Sequence, residues 1–148
     1  MTTNFKAIMV NALNVKAKEL EETAKGLVEE SADFGKEAMK ENIRTRGTQK
    51  EWNKFYYREG IRRGASKPGR VWTGTMLEAV ETENRHEDGR SQTAFGWVDG
   101  DLYGYFSDQE YGFDHEDAGT MVPGMYALSD AAEQTIEYAV DRFRKAFK

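Results

Sequence analysis

Val10, Leu13, Ala17, Leu20, Ala24, Leu27, Ser31, Phe34 and Ala38 fall at alternating spacings of three and four residues. An α-helix collects such positions into one narrow stripe, as on a helix packed along a partner. No proline interrupts residues 1–67 to stop it. The pattern predicts a helix over residues 3–43, on the order of 60 Å long. A compact single domain of 148 residues has a diameter near only ~40 Å. Such a helix either kinks or rests partly on something outside its own domain. Gly26 and Gly35 are the candidate bends, each costing roughly 1 kcal/mol relative to alanine. Two readings stay open here: a kinked core helix, or a helix that meets another subunit through Leu13, Leu20, Leu27 and Phe34. Glu19, Glu21, Glu22, Lys25, Glu29 and Glu30 are expected on its wet faces.

Charge is the second constraint. The net charge of −5 resolves into −2 over residues 1–35, +7 over 36–70 and −10 over 71–148. A split of that size predicts that residues 36–70 of one subunit face acidic surface in 71–148 of another. The mildly acidic total argues against a wholly basic nucleic-acid binder. With no cysteine in the chain, disulfides, thiolate zinc sites and cysteine nucleophiles are all excluded. No apolar run approaches the ~20 residues of a membrane span, so no membrane association is expected. The start, MTTNFKAIMV, lacks the basic and apolar regions of a signal peptide.

The rest of the chain reads as a single α+β domain over residues 1–148: the long helix, a basic insert and loop over 44–70, a short helix with β-sheet and acidic loop over 71–121, and a C-terminal helix within 122–148. Thr48 and Glu51 have capping-box spacing, which predicts a short helix to about Glu59 with Trp52, Phe55 and Tyr56 on one face. Gly60, Gly64, Pro68 and Gly69 then predict a flexible loop. Thr73 can cap a helical turn through Ala79. Residues 80–87 and 91–98 alternate as strands about the turn signal Asp88-Gly89. Residues 102–111 fit a strand or a short helix, and 112–120 an acidic loop. The last helix is expected over Ser129–Phe147, capped by Ser129 or Asp130. Its apolar face would be Leu128, Ala132, Ile136, Ala139, Val140, Phe143 and Phe147, with Arg142, Arg144, Lys145 and Lys148 suiting the dipole at its end.

Chemistry-bearing patterns are sparse. The two histidines, His86 and His115, accompany no nucleophile elbow, and no phosphate-binding glycine loop is present. Asp108, Glu110, Asp114, His115, Glu116 and Asp117 form the one cluster whose oxygens and imidazole could hold a hard cation, but without the spacing of a calcium loop. It reads first as a solvated or protein-contact loop, with Asp114, Glu116 and Asp117 as contact residues. The basic, aromatic-rich segment 36–70, with Arg58, Arg62 and Arg63, could track a phosphate backbone and stack bases. Its other reading is aromatics in a core and basic residues facing acidic partners.

Three motifs occur in order. Trp72-Thr73-Gly74-Thr75-Met76-Leu77 carries Thr73, Gly74 and Leu77. Tyr105-Phe106-Ser107-Asp108-Gln109-Glu110-Tyr111-Gly112 carries Glu110 and Gly112. Val122-Pro123-Gly124-Met125-Tyr126, with Pro123, precedes the last helix. Their order over residues 5–147 resembles the tail-completion, or minor tail and head–tail connector, family of long-tailed bacteriophages. The resemblance implies a long N-terminal helix and a C-terminal helix packed on a small antiparallel sheet. It implies a non-enzymatic structural protein of the virion neck, without cofactor or metal, assembled in the bacterial host cytoplasm. It further implies a homo-oligomeric ring, commonly hexameric, set between neighbouring neck and tail-tube or tail-terminator proteins, with packaged DNA passing through its lumen without sequence-specific binding. The alternative from the residues themselves is a nucleic-acid-binding module using residues 36–70.

Overall fold

The structure, a computed structural model, describes residues 5–46, 74–97, 105–115 and 120–148. Along the chain run α1 (Phe5–Thr45), α2 (Thr75–Glu78), β1 (Val80–Glu87), β2 (Arg90–Trp97), α3 (Tyr105–Tyr111), β3 (Gly112–His115), β4 (Thr120–Pro123) and α4 (Ala127–Ala146). Long N-terminal helix, C-terminal helix and small antiparallel sheets make the expected α+β arrangement. The expected helix and loop within 47–70, and Thr73, lie outside the described residues.

α1 is one uninterrupted helix of 41 residues, about 60 Å end to end. α4 lies antiparallel along its second half. The Asn42 side-chain amide donates to the Ala127 carbonyl at 3.1 Å near the start of α4, and Arg142 near its end reaches Glu30. Met39 and Ile43 of α1 are fully buried with Met76, Val80, Phe106, Met125, Ala127 and Ala131. Each large member of that set contributes roughly 1.5–3 kcal/mol by leaving water. The core therefore gathers around the C-terminal third of α1.

β1 and β2 pair antiparallel from Val80↔Trp97 to Glu87↔Arg90. Asp88 and Gly89 both adopt positive φ, 48° and 72°, the two-residue turn whose twist matches the strands it joins. The hairpin lies along α1, and Phe95 seats its ring directly over Gly35. A Cβ there would stand 2.3 Å from the ring. Gly35 is thus a socket for Phe95 within a continuous helix. Gly26 has nothing within 4 Å of where a Cβ would be.

Several expectations are corrected. Residues 112–115, expected within an acidic loop over 112–120, pair instead with residues 120–123 in a second two-stranded sheet registered Gly112↔Pro123 to His115↔Thr120. The short helix among the alternatives for 102–111 is α3. α2 is preceded by Gly74 at φ 91° with no side-chain cap, so Thr73 is not the residue adjoining it. Glu29 and Glu30 are half-buried and bonded rather than on a wet face. On α4, Leu128 of the expected face does pack against the core beside the buried Ala127 and Ala131, whereas Ile136, also expected on that face, is 65% exposed and Val140 and Phe147 are exposed as well. Close approach of two helices favours alanine at the contact, and that places the large apolar stripe of α4 on its far side.

The two glycines of α1 should respond oppositely to alanine. Gly26→Ala is expected to gain up to about 1 kcal/mol of stability from helix propensity. Gly35→Ala should lose about 1–3 kcal/mol by overpacking against Phe95. Urea unfolding of both variants is the check, and Phe95→Leu should soften the Gly35→Ala penalty.

Candidate functional site

Glu110 is the most constrained charged residue described: 1% exposed, on α3, beneath the start of α4. Its carboxylate accepts from the Leu128 N–H at 3.0 Å, the Ser129 N–H at 2.9 Å and the Ser129 hydroxyl at 2.8 Å. The residue before α4, Tyr126, is left-handed at φ 50° and offers no side-chain cap. Glu110 therefore caps α4 from another element, satisfying amide donors that the helix itself leaves open and setting negative charge against its positive end. Neither expected cap, Ser129 or Asp130, serves in its own helix. Ser129 instead donates to Glu110, and Asp130 pairs with Arg46.

The backbone completes the clamp. Met125 N–H donates to the Gln109 carbonyl at 3.0 Å and Tyr126 N–H to the Glu110 carbonyl at 3.1 Å. Gly112 turns at φ 88° out of α3 into β3. Gly124 passes so close that a Cβ would lie 2.4 Å from the Glu110 carbonyl oxygen. The Glu-x-Gly and Pro-Gly motifs thus meet in space, and their glycines are required by close approach and turn geometry. Across α1, Arg46 donates to the carbonyls of Met125 and Tyr126 at 3.5 and 3.3 Å.

A second polar cluster joins α1 to the far end of α4. Glu30 accepts from the Tyr138 hydroxyl and from Arg142 at 3.2 Å, while Tyr138 stacks on Phe34 with ring centroids 4.2 Å apart. The hydrogen bond from Tyr138, then that from Arg142, holds the Glu30 carboxyl below its ordinary range. The same bond to Glu30 raises Tyr138, and Glu30 raises Arg142. The Arg142 Nε is buried without a hydrogen-bond partner among the described residues, which offsets part of the gain. His86 of the hairpin contacts Glu29 at 2.7 Å and the Ser91 hydroxyl at 3.0 Å. No spacing rule pairs Glu29 with His86, 57 positions on, or Glu30 with Tyr138 and Arg142, 108 and 112 positions on, so these partners carry no sequence signal of their own.

The stripe on α1 divides in two. Leu27 is 8% exposed, and Phe34 lies against α4, but Leu13 is 62% and Leu20 46% exposed. The expected interface residues therefore separate into a half that packs within the chain and a half that remains bare. Leu77 packs against the core and Asp114 is exposed on β3. Pro123 ends β4, paired with Gly112. Arg58, Arg62, Arg63, Glu116 and Asp117 lie outside the described residues. Among the described residues there is no group of three or more metal-binding side chains, and no helix is long and apolar enough to cross a membrane.

Compared with protein-family models, curated proteins and solved structures, the chain matches none.

Glu110→Ala should leave its three donors without their acceptor and cost about 2–4 kcal/mol, with Glu110→Gln closer to 1 kcal/mol, in urea unfolding. Because the folded-state value of Glu30 is depressed, its contribution is present above the ordinary carboxyl value of 4.5 and fades as pH falls through the folded one. Thermal melts from pH 7 to pH 3 should show the wild type losing its advantage over Glu30→Gln across that acidic window. A gap constant with pH would count against this linkage.

Proposed function

We propose that this chain is a structural, non-enzymatic joint protein of the bacteriophage neck, a head–tail connector or tail-completion protein. In this reading it forms an oligomeric ring, commonly sixfold, that joins head and tail around the DNA channel. Its neighbours are other neck proteins and tail-tube or tail-terminator proteins, and it resides in the virion after assembly in the host cytoplasm. The observation that carries the reading is the half-bare helix. α1 exposes Leu13 and Leu20 on the same stripe that Leu27 and Phe34 use for internal packing. A helix of 41 residues with half its apolar seam unpartnered is suited to subunit contact.

Two further features support it. The three ordered motifs supply turns and a helix cap: Gly74 before α2, Gly112 after α3, and Gly124 against Glu110. These are roles in holding a scaffold together. The acidic block 71–148 carries −10, a charge that would line a DNA passage without adhering to it. The nucleic-acid-binding alternative rests on residues 36–70. Within them Arg46 is already engaged by Asp130 and two carbonyls.

Negative-stain microscopy of the purified chain, with antibody labelling of mature particles, tests the proposal. Rings, or label at the neck, are expected. A chain absent from virions would overturn it. Salt-dependent DNA titration should show no loss of affinity for Arg58→Ala, Arg62→Ala and Arg63→Ala combined, whereas a marked loss would favour the alternative.

A further inference from the structure

The β1–β2 hairpin is held to α1 in two different ways along its length. At its base Val80 is buried and Phe95 sits over Gly35. Toward the tip, Glu83 to Arg90 are all exposed as whole residues, so apolar burial contributes little there. Among the described residues, one hydrogen bond reaches from this half of the hairpin to α1. It joins His86 Nε2 to the Glu29 carboxylate at 2.7 Å, with the two side chains 29% and 39% exposed. The other ring nitrogen, Nδ1, lies 3.0 Å from the hydroxyl of Ser91, the cross-strand partner of His86.

A carboxylate only accepts, so Nε2 carries the proton that faces Glu29, and in the neutral ring Nδ1 accepts from Ser91. A second proton enters at Nδ1. The Ser91 hydroxyl then turns and accepts, since a hydroxyl can do either. Both nitrogens thus keep their partners in both states, and only the charge changes. In the charged state the link to Glu29 is an ion pair as well as a hydrogen bond. Histidine is the side chain that makes this change between pH 5 and 8. On α1, Glu21 comes near the turn, where a Cβ on Gly89 would lie 3.8 Å from its carboxylate oxygen. Lys25 stands one helical turn from both Glu21 and Glu29. On the hairpin, Arg85 is held by Glu83, and Glu87, Asp88 and Arg90 form the tip. Glu21, Glu29, Glu87 and Asp88 outweigh Lys25 and Arg90, so a positive ring meets net negative surroundings.

We propose that His86 is a pH-dependent latch, which holds the hairpin tip against α1 more tightly when its ring is charged and lets the tip open about the Phe95 seat when it is neutral. The opening is local, and the core around Met39 and Ile43 stays closed. The latch does not rest on the neck reading.

Hydrogen exchange of the full chain, followed by NMR at pH 7.5 and pH 5.5, tests it. Counting out from the two-residue turn, Glu87↔Arg90 and Arg85↔Gln92 are hydrogen-bonded pairs. After correction for the intrinsic pH dependence of exchange, their amides should be about two- to fivefold better protected at pH 5.5, the range a partly exposed ion pair supplies. The core amides of Met39 and Ile43 should not follow. Glu29→Gln keeps an acceptor for Nε2 and removes the charge, and His86→Gln removes the titrating ring. In both variants the pH dependence of the tip should vanish while the core amides stay protected. Nitrogen spectra of the imidazole should show the Nε2–H tautomer at pH 8, with His86→Gln separating its signals from those of His115. Tip protection equal at the two pH values, or a rise that survives in either variant, would overturn the latch. So would an Nδ1–H tautomer, because Nε2 would then have no proton to give Glu29. A change shared by the core amides would overturn it too, since the opening would be that of the whole fold.

Discussion

A single buried carboxylate organises the C-terminal half of the molecule. Glu110 sits 1% exposed beneath α4 and satisfies two backbone amides and a hydroxyl there. A charge so buried is tolerable only when fully hydrogen-bonded, and every one of those donors comes from the helix it caps. The cap fixes where α4 begins, and so which of its faces turns toward α1. Arg46 and Asn42, reaching from α1 to the same helix start, tie that orientation to the long helix. Position and rotation of α4 then decide that Ala127 and Ala131 are buried while Ile136 and Val140 meet water.

That rotation gives the molecule two characters. Around Met39, Ile43, Val80 and Phe106 it is a closed core. Toward the N-terminal half of α1 it becomes a pair of exposed helical seams, held in register by polar contacts. Glu30 with Tyr138 and Arg142, and Glu29 with His86, bind α4 and the hairpin to α1 where apolar burial thins out. Half-buried pairs of this kind, still in reach of solvent, contribute little individually. Their value here is angular, since each bridges two different elements across the same long helix.

Local signals were legible where a rule acts within a few residues. The three-four spacing located α1 within two residues at either end, and Asp88-Gly89 located the hairpin turn. The sequence pattern was misleading where tertiary contact overrode it. The apolar stripe of α4 looked like a packed face because large apolar residues usually pack, yet the close approach to α1 selected alanines. Ser129 and Asp130 looked like caps because they stand at the right distance from the helix, yet Glu110 of α3 supplies the carboxylate. Gly35 looked like a bend because glycine weakens helices, and its missing side chain instead admits Phe95. The ordered motifs marked the correct places for turns and the cap, and which partner each would find depended on contacts between distant segments.

The Phe95 ring seated over Gly35 also has a mechanical consequence. It acts as a detent: α1 cannot slide along the hairpin without forcing an aromatic ring over bulkier side chains on either side of the glycine. Leu13 stands 22 residues from that point, a lever arm of about 33 Å on a continuous helix. A load applied near the tip of α1 is therefore delivered as torque to the Gly35 seat and to the Asn42 and Arg46 contacts with the start of α4, so that tension at one end of the long helix is felt in the domain's core.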